Sequence, residues 1–352
     1  MLGLKRKKPT TAQLREQIAD LARRNRTAPD LENERELIRL RHQLGIRLLE
    51  EAPSAPQHPD PAGAAPPASD ELPDVALADL TPELLRAGIL RDGCVLVRGL
   101  IGRDDALALA ADIERGFIER AKAVESVPHD HAYYDEFVPD PRYPEVQVRP
   151  WVLTGGGLLA ADCPHACFRM LELFEGAGIP RLVEAYLGEP PMLTFEKTTL
   201  RKADPSVSGA WHQDGHFMGP VRALNLWLSL SRCGDEAPGL DVVPRRLDEL
   251  VAAGEEGAFL DYQVSDATAA AAAEPKRVLR PIFEPGDALL FDDLFLHQTA
   301  SDPAMPNPRY AVESWFFGGS SFPDYAPIAV CATARCGCAR SWSCSRTTIR
   351  RS

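Results

Sequence analysis

Trp211-His212-Gln213-Asp214-Gly215 is answered about 80 residues later by Phe295-Leu296-His297 and then by Arg309. In an extended strand, residues i and i+2 project from the same face. An imidazole and a carboxylate two apart can therefore converge on one ion from one side. A second imidazole, His297, brought in from a distant strand completes two histidines and one carboxylate. Three such ligands on one face leave the opposite coordination positions open, which suits Fe(II). The spacing alone leaves a plainer reading available, a turn between two strands whose polar residues face solvent.

The flanking sequence argues for strands on both sides. Residues 221–231 (VRALNLWLSLS) alternate apolar and polar, as a half-buried strand does. Phe283-Glu284-Pro285-Gly286-Asp287 is a chain reversal, with Pro and Gly placed to turn it. Residues 288–291 (ALLF) follow as a short buried strand leading towards His297. Residues 310–317 (YAVESWFF) form an aromatic and β-branched strand with Arg309 at its entrance. This pattern predicts a mainly β core with flanking helices. Residues 103–124 read as an amphipathic helix after a strand at 94–97, with Leu107, Ile113, Phe117 and Ile118 inward. No Gly-x-Gly-x-x-Gly opens that helix, so it is not a dinucleotide-binding unit.

From about Leu80 to Pro327 the chain resembles the phytanoyl-CoA dioxygenase family of Fe(II)/2-oxoglutarate oxygenases. The resemblance is carried by Arg91-Asp92-Gly93-Cys94-Val95-Leu96-Val97-Arg98-Gly99 and by the Trp211–Gly215 run. Asn225-Leu226-Trp227, Gly239-Leu240-Asp241-Val242-Val243-Pro244, Pro285-Gly286-Asp287, His297 and Arg309 continue it. It implies a double-stranded β-helix (jelly-roll, cupin-like) core with His212, Asp214 and His297 as catalytic iron ligands. It also implies Arg309 on the distal carboxylate of 2-oxoglutarate, Thr299 supplying a hydroxyl to the same carboxylate, and Trp227 lining the cosubstrate pocket. The cofactors implied are Fe(II), 2-oxoglutarate and O2. The reaction implied is hydroxylation of a small organic molecule, with 2-oxoglutarate decarboxylated to succinate and CO2. The carboxylate at Asp214 favours hydroxylation over halogenation, because halogenating relatives replace it. A guanidinium suits the far end of a dicarboxylate, being permanently charged and shaped to meet it with two parallel bonds.

One stretch departs from the family. Arg245 and Arg246 stand where many relatives have Gly-Ser-His after the proline, which signals either an anionic substrate or a solvated loop. His216, Arg201 and Arg222 are further candidate substrate contacts: His216 two beyond Asp214 if the strand continues, the two arginines flanking the metal strand. Arg222 could equally pair with a neighbouring carboxylate. The cluster His129, His131, Tyr133 and Tyr134 suggests a surface loop, a lid, or a second metal pair. Trp151 and Thr154-Gly155-Gly156-Gly157 suggest a flexible loop near the site.

Four segments are expected: 1–51, a charged helical extension; 52–72, a Pro/Ala-rich linker; 73–328, the oxygenase domain; and 329–352, a disordered Cys/Arg-rich tail. In the extension, Thr10 to Gln13 has the form of a capping box, with Leu14, Ile18 and Leu21 following at helical spacing. Leu37, Leu40, Leu44 and Leu48 make a second apolar stripe, which either packs on the domain or forms a homodimer. The linker has nothing to bury. The tail holds four of the eight cysteines at uneven gaps that do not match zinc spacing, and reads as disordered or as a shifted reading frame.

The chain carries a formal net charge of −12. Residues 1–50 hold 12 Lys/Arg and 7 Asp/Glu, and residues 331–352 hold 5 Arg and no acid, leaving 22 bases against 44 acids between them. So acidic a body disfavours nucleic acid. Lys5-Arg6-Lys7-Lys8 is not followed by an apolar run, and no run of 18 apolar residues exists, so neither a secretory signal nor a membrane span is expected and the location expected is cytoplasmic. The alternative function is a non-catalytic, metal-retaining jelly-roll binding or adaptor protein. The intact His212, Asp214, His297 and Arg309 set argues against it.

Overall fold

In a computed structural model, the structure describes residues 9–51, 56–64, 66, 72–143, 148–206, 209–219, 221–254 and 260–322, and the backbone of 328–330. In chain order the elements are helices α1 (Thr11–Thr27) and α2 (Leu31–Glu50), strand β1 (Asp74–Ala76), α3 (Pro82–Asp92), β2 (Cys94–Arg98), α4 (Arg103–Val124) and α5 (Arg149–Thr154). There follow β3 (Gly157–Leu159), α6 (Pro164–Gly176), α7 (Ile179–Leu187), β4 (Pro191–Thr194), β5 (Thr199–Ala203), the short α8 (Gly215–Met218), β6 (Ala223–Ser229) and β7 (Gly239–Val242). The chain closes with α9 (Asp266–Ala273), β8 (Ala288–Phe291), β9 (His297–Ala300), β10 (Arg309–Gly318) and β11 (Ile328–Val330).

Nine strands form one sheet along the path β1-β2-β8-β6-β10-β4-β11, with β5 joining β10 to β3; β7 and β9 form a second, two-stranded sheet. Among the described strands only β1 and β2 run parallel; the other pairs are antiparallel. The long β10 organises the large sheet. Ala311–Phe317 pairs with β6 on one side, while its other edge pairs first with β5 and then with β4.

The residues on β6 explain the layering. Leu224, Leu226 and Leu228 join the main core with Ile89 of α3, Leu109 and Ile113 of α4, and Phe174 of α6. Asn225 and Trp227 point the other way, into a cavity. All seven residues of β6 are buried, so the strand is covered on both faces rather than half-buried as its alternation suggested. The two-stranded sheet covers that second face: Leu240 and Val242 pack with Leu96, Trp227, Leu289 and Ala311. At Gly286 the turn before β8 needs positive φ (100°), and an added Cβ would lie 2.3 Å from the Ile101 carbonyl oxygen, so glycine is required there.

Helix α4 spans the expected residues, but its inward face is different. Ala106, Leu109, Ala110, Ile113 and Gly116 are buried at helical spacing, while Leu107 and Ile118 are exposed and Phe117 is partly buried. The small residues on the buried face let α4 lie close: a Cβ on Gly116 would come 3.0 Å from the Leu158 side chain.

The amino-terminal helices belong to the same body. The capping box at Thr10 and Gln13 closes as its sequence predicts. Leu14, Ile18, Leu21, Leu37, Leu40, Leu44 and Leu48 are buried in one cluster with Met192 of β4, Met218 of α8, and Phe317 and Phe322. The leucine stripe is thus covered within one chain. At roughly 1.5–3 kcal/mol per buried aliphatic side chain, this contact is worth on the order of 10 kcal/mol before entropy is counted. Polar ties add register: Arg35 to Asp135 (2.8 Å), His165 to the buried Glu34 (3.0 Å), and Arg26 to Glu172.

The described part of the Pro/Ala segment is not a free tether. Pro66 is buried and its carbonyl accepts from Arg91 (2.9 Å), while His58 Nδ1 donates to the Tyr186 carbonyl (2.9 Å). A Cβ on Gly188 would meet the Gln57 backbone oxygen at 2.1 Å, so this strap lies directly against the end of α7. The backbone of 328–330 adds the edge strand β11 beside β4, two residues past the expected domain end. Lys5–Lys8 and the cysteine-rich residues from 331 onward lie outside the described residues. Among the described residues, no helix is long and apolar enough to cross a membrane.

Candidate active site

The two histidines are positioned by the backbone itself. His212 and His297 face each other across an antiparallel bridge and exchange both amide bonds, 3.0 and 3.1 Å. Directly opposed residues on such a ladder present their side chains on one face, and the imidazole centroids are 4.4 Å apart. Each ring is oriented from behind. His212 Nδ1 bonds the Ala210 carbonyl (2.8 Å) and His297 Nδ1 bonds the Phe295 carbonyl (3.0 Å). A carbonyl can only accept, so each Nδ1 carries the proton and each Nε2 offers a lone pair forward.

Asp214 reaches the same point by a different route from a continuing strand. It has helical backbone angles (φ −61°, ψ −28°) and opens α8. The turn is fastened by Gln213, fully buried, whose amide nitrogen donates to the Leu294 carbonyl (2.7 Å) and whose oxygen accepts from Val251 N–H (2.8 Å). Gly215 N–H donates to the Asp293 carbonyl (2.9 Å). Asp214 Oδ1 lies 3.6 Å from His212 Nε2, and Oδ2 accepts from Asn225 Nδ2. The potential ligand atoms of His212, Asp214 and His297 all lie within 4.8 Å of one another, a span one ion can bridge. Among the described residues no other group of three potential metal ligands converges in this way.

Electrostatics fit an ion at that point. Burial pushes the Asp214 carboxyl well above its ordinary range, and Lys197 only partly opposes this. Burial pulls His297 down to about 3, with the neighbouring His212 adding to the effect, and His212 is also lowered by burial. Neutral imidazoles and a carboxylate in need of a cation are what a divalent metal requires.

The cavity beside these ligands is about 130 Å³ and is lined by both sheets. Alternate residues of β10 face it: Glu313 and Trp315 line it directly, and Arg309 lies deeper on the same strand face. Trp227 and Thr299 line it as expected. Arg309 is 1 % exposed, with its guanidinium 5.3 Å from the Trp227 ring centre. Its Nη1 donates to the Gly239 carbonyl (2.8 Å), and its Nε has no partner. No carboxylate among the described residues pairs with it. Burial lowers its pKa, opposed by Cys233 and Glu313.

Arg201 lines the cavity but is already engaged. Its Nε and Nη2 meet Glu313 at 3.0 and 2.6 Å, and its Nη1 meets the Gly155 carbonyl at 2.5 Å. Burial alone would push the Glu313 carboxyl up, but the Arg201 guanidinium, with Arg309 and His297, holds it below the ordinary range. The glycine run 155–157 is therefore tied to the site through Arg201 rather than hanging free.

Two expected contacts lie elsewhere. His216 does not line the cavity, because the chain turns into α8 at Asp214 and the strand alternation ends there. Arg222 bonds the Leu187 carbonyl (2.7 Å) and lies 3.9 Å from Glu189, also outside the cavity. Arg246 pairs with Asp292 (2.5 Å) and Arg245 donates to the Glu274 carbonyl, so neither is an open anion site. The His129–Tyr134 loop lies against α4, α6 and α2 through Glu119, His165 and Arg35, not over the cavity.

Sequence analysis assigns no site role to Asn225, Glu313, Trp315 or Lys197. Glu313 does carry a signal: a charged residue two and four places from Trp315 and Arg309 in an otherwise apolar strand shares their face. Lys197 carries none, since it sits in a single helical turn between β4 and β5.

No family model matches the chain, and no curated protein does. Solved structures similar to it include EctD from S. alaskensis with 2-oxoglutarate and 5-hydroxyectoine, at 17 % identity over 75 % of this chain and 87 % of that one, TM-score 0.47. The non-heme alpha ketoglutarate dependent carbocyclase SnoK from nogalamycin biosynthesis is 11 % identical over 73 % of this chain and 99 % of that one, TM-score 0.46. AviO1 from Streptomyces viridochromogenes Tue57 is 19 % identical over 67 % of this chain and 94 % of that one, TM-score 0.42. These resemblances are remote, and the chemistry of this chain is read from its own residues.

Proposed function

We propose that this protein is an Fe(II)- and 2-oxoglutarate-dependent dioxygenase with a double-stranded β-helix core, hydroxylating a small organic molecule and releasing succinate and CO2. The observation that carries this reading is the pairing of two sites at one cavity. Three potential ligand atoms converge within 4.8 Å of one another, and behind the cavity-lining Trp227 a fully buried guanidinium pairs with no described carboxylate. An isolated buried charge is costly unless paired, so Arg309 calls for a carboxylate as strongly as Asp214 calls for a metal. A dicarboxylate that chelates the metal at one end and reaches Arg309 at the other answers both. Lys197 and Arg201 cannot replace Arg309 in this role: Arg201 is held by Glu313, and Lys197 stands over Trp315 and Phe217.

His212, Asp214 and His297 would hold the iron, with the Nδ1 bonds to Ala210 and Phe295 fixing the tautomers. Asn225 would fix the free rotation of the Asp214 carboxylate, presenting Oδ1 to the metal. Thr299 and Trp227 would flank the cosubstrate chain. When bound, Fe(II), 2-oxoglutarate and O2 supply the two-electron oxidation of a C–H bond; the protein orients the reactants and excludes water. The Leu240 and Phe291 side chains around the cavity provide that apolar enclosure.

The test is release of succinate from 2-oxoglutarate by the purified full chain, with and without Fe(II) and with a metabolite extract. Iron-dependent succinate release, stimulated by extract, is expected. No release under any condition would return the protein to a binding or adaptor role.

A further inference from the structure

One wall of the cavity carries an ion pair that the sheet does not need for its register. Glu313 on β10 and Arg201 on β5 both line the cavity, with side chains 25 % and 18 % exposed. Backbone pairing of Arg309–Glu313 against Thr199–Ala203 already fixes the two strands. A buried ion pair is often no more stabilising than apolar side chains of the same volume. Here one is kept at a cavity wall, on the strand face it shares with Trp315 two residues on, which lines the same space.

The order of residues along β10 sets this pair apart from the anchor proposed for the cosubstrate. Arg309 opens the strand and is 1 % exposed. Glu313 follows four residues later, about 13 Å of extended chain, where the strand meets the open space. A dianion drawn to Arg309 is turned away from the Glu313 carboxylate.

The pair also has bonding capacity to spare. Arg201 Nε and Nη2 donate to the two Glu313 oxygens (3.0 and 2.6 Å), and Nη1 donates to the Gly155 carbonyl (2.5 Å). A guanidinium has five N–H bonds and an ionised carboxylate about four acceptor sites. Two N–H bonds, one on each Nη, and two acceptor sites therefore have no partner among the described residues. A ligand carboxylate set against this pair meets Glu313, and a ligand ammonium meets Arg201; each gains from one half and is opposed by the other. A group that both donates and accepts, without charge, suits both halves.

We infer that the Glu313–Arg201 pair recognises an uncharged hydroxyl or carboxamide of the primary substrate, whose apolar body lies along Trp315. This deepens the function proposed above and rests on it.

The test uses the full chain loaded with Fe(II) and saturating 2-oxoglutarate under argon. Benzamide, benzoate and benzylamine, the last as its ammonium ion, are titrated calorimetrically and by tryptophan fluorescence. Benzamide is expected to bind the wild type about tenfold more tightly than either charged probe. Arg201→Met should turn the preference to the ammonium and Glu313→Met should turn it to benzoate. The double variant Arg201→Met/Glu313→Met removes both charges, so it stays informative if a single variant fails to fold. It should lose the preference for benzamide while holding 2-oxoglutarate within about threefold of wild type. Equal or tighter binding of a charged probe to the wild type would overturn the proposal, as would no benzamide binding at millimolar concentration. So would a wild-type preference that persists in the double variant, or a loss confined to 2-oxoglutarate, which would move the pair to the cosubstrate. Uptake of Fe(II) and 2-oxoglutarate by the wild type is read before any probe is added. Its failure overturns the proposed function and this inference with it, whereas a failed probe preference overturns only the inference.

Discussion

Replacing Arg309 with methionine separates a cosubstrate role from a structural one, because the two predict opposite effects on the free protein. The guanidinium is fully buried, touches Trp227, donates to the Gly239 carbonyl and pairs with no described carboxylate. Taking it away costs the apoprotein a charge-assisted hydrogen bond to Gly239, about 1.5–3 kcal/mol, and a longer, weaker one to the Pro238 carbonyl (3.4 Å). It also removes the desolvation penalty of an unmatched cation, several kcal/mol. Arg309→Met apoprotein should therefore melt at or above the wild-type temperature. The cosubstrate should suffer instead. A buried charged pair is worth at least about 2 kcal/mol, which at 1.4 kcal/mol per decade is roughly a 30-fold weaker Kd for 2-oxoglutarate. At a ligand concentration about 100 times the wild-type Kd, binding stabilises the folded state by about 2.7 kcal/mol; a 30-fold loss leaves about 0.9 kcal/mol. The assay is differential scanning calorimetry of wild type and variant, each with Mn(II) as a redox-inert stand-in, with and without 2-oxoglutarate. A variant whose 2-oxoglutarate-induced shift equals the wild-type shift would refute the assignment. So would an apoprotein that melts far below wild type, since Arg309 would then be structural.

Other perturbations test the same geometry. Asn225→Leu removes the bond that orients Asp214 and should weaken metal binding by roughly tenfold to a hundredfold, as loss of a supporting hydrogen bond does, while circular dichroism stays unchanged; undiminished metal affinity would remove Asn225 from the site. A chain trimmed to residues 72–328 loses the hairpin that covers Met192, Met218, Phe317 and Phe322, together with the end of β11, and should be insoluble or melt far below wild type, whereas a soluble truncate with near-normal melting would show that the helices are dispensable. Hydrogen bonding to Glu34 raises the pKa of His165, with the charges of Glu34 and Asp112 reinforcing it. That pair therefore contributes fully below the unfolded histidine pKa of about 6.5 and is lost as pH rises through the higher folded value. Thermal stability should fall across that window and the slope should flatten in His165→Gln; an unchanged slope would exclude the pair as its source.

The parts of the site that a strand's two-residue period could locate were legible in the sequence. His297, Thr299, Trp227 and Arg309 lie where alternation puts them, because each is on a regular strand whose register is enforced by burial on both sides. The pair His212 and Asp214 was legible as residues but not as geometry. The chain leaves extended conformation at Asp214, and Gln213 fastens a turn through partners some 36 and 81 residues away. That turn is why His216 and Arg222 fall outside the cavity. The two leucine stripes were visible, but not what they cover, since Met192, Met218 and Phe317 come from three separate elements. Lys197 was hidden for a similar reason: the rings it stands over, Phe217 and Trp315, lie on other segments.

The central claim is that one metal ion, held by His212, Asp214 and His297, gathers 2-oxoglutarate against Arg309. Anaerobic calorimetric titration of the metal-free full chain with Fe(II), followed by 2-oxoglutarate, tests it most directly. One Fe(II) per chain is expected, with 2-oxoglutarate binding tightly only after the metal, and both events lost in His212→Ala and His297→Ala while the far-ultraviolet spectrum is kept. Undiminished Fe(II) binding in either alanine variant, or 2-oxoglutarate binding of equal strength without metal, would contradict it.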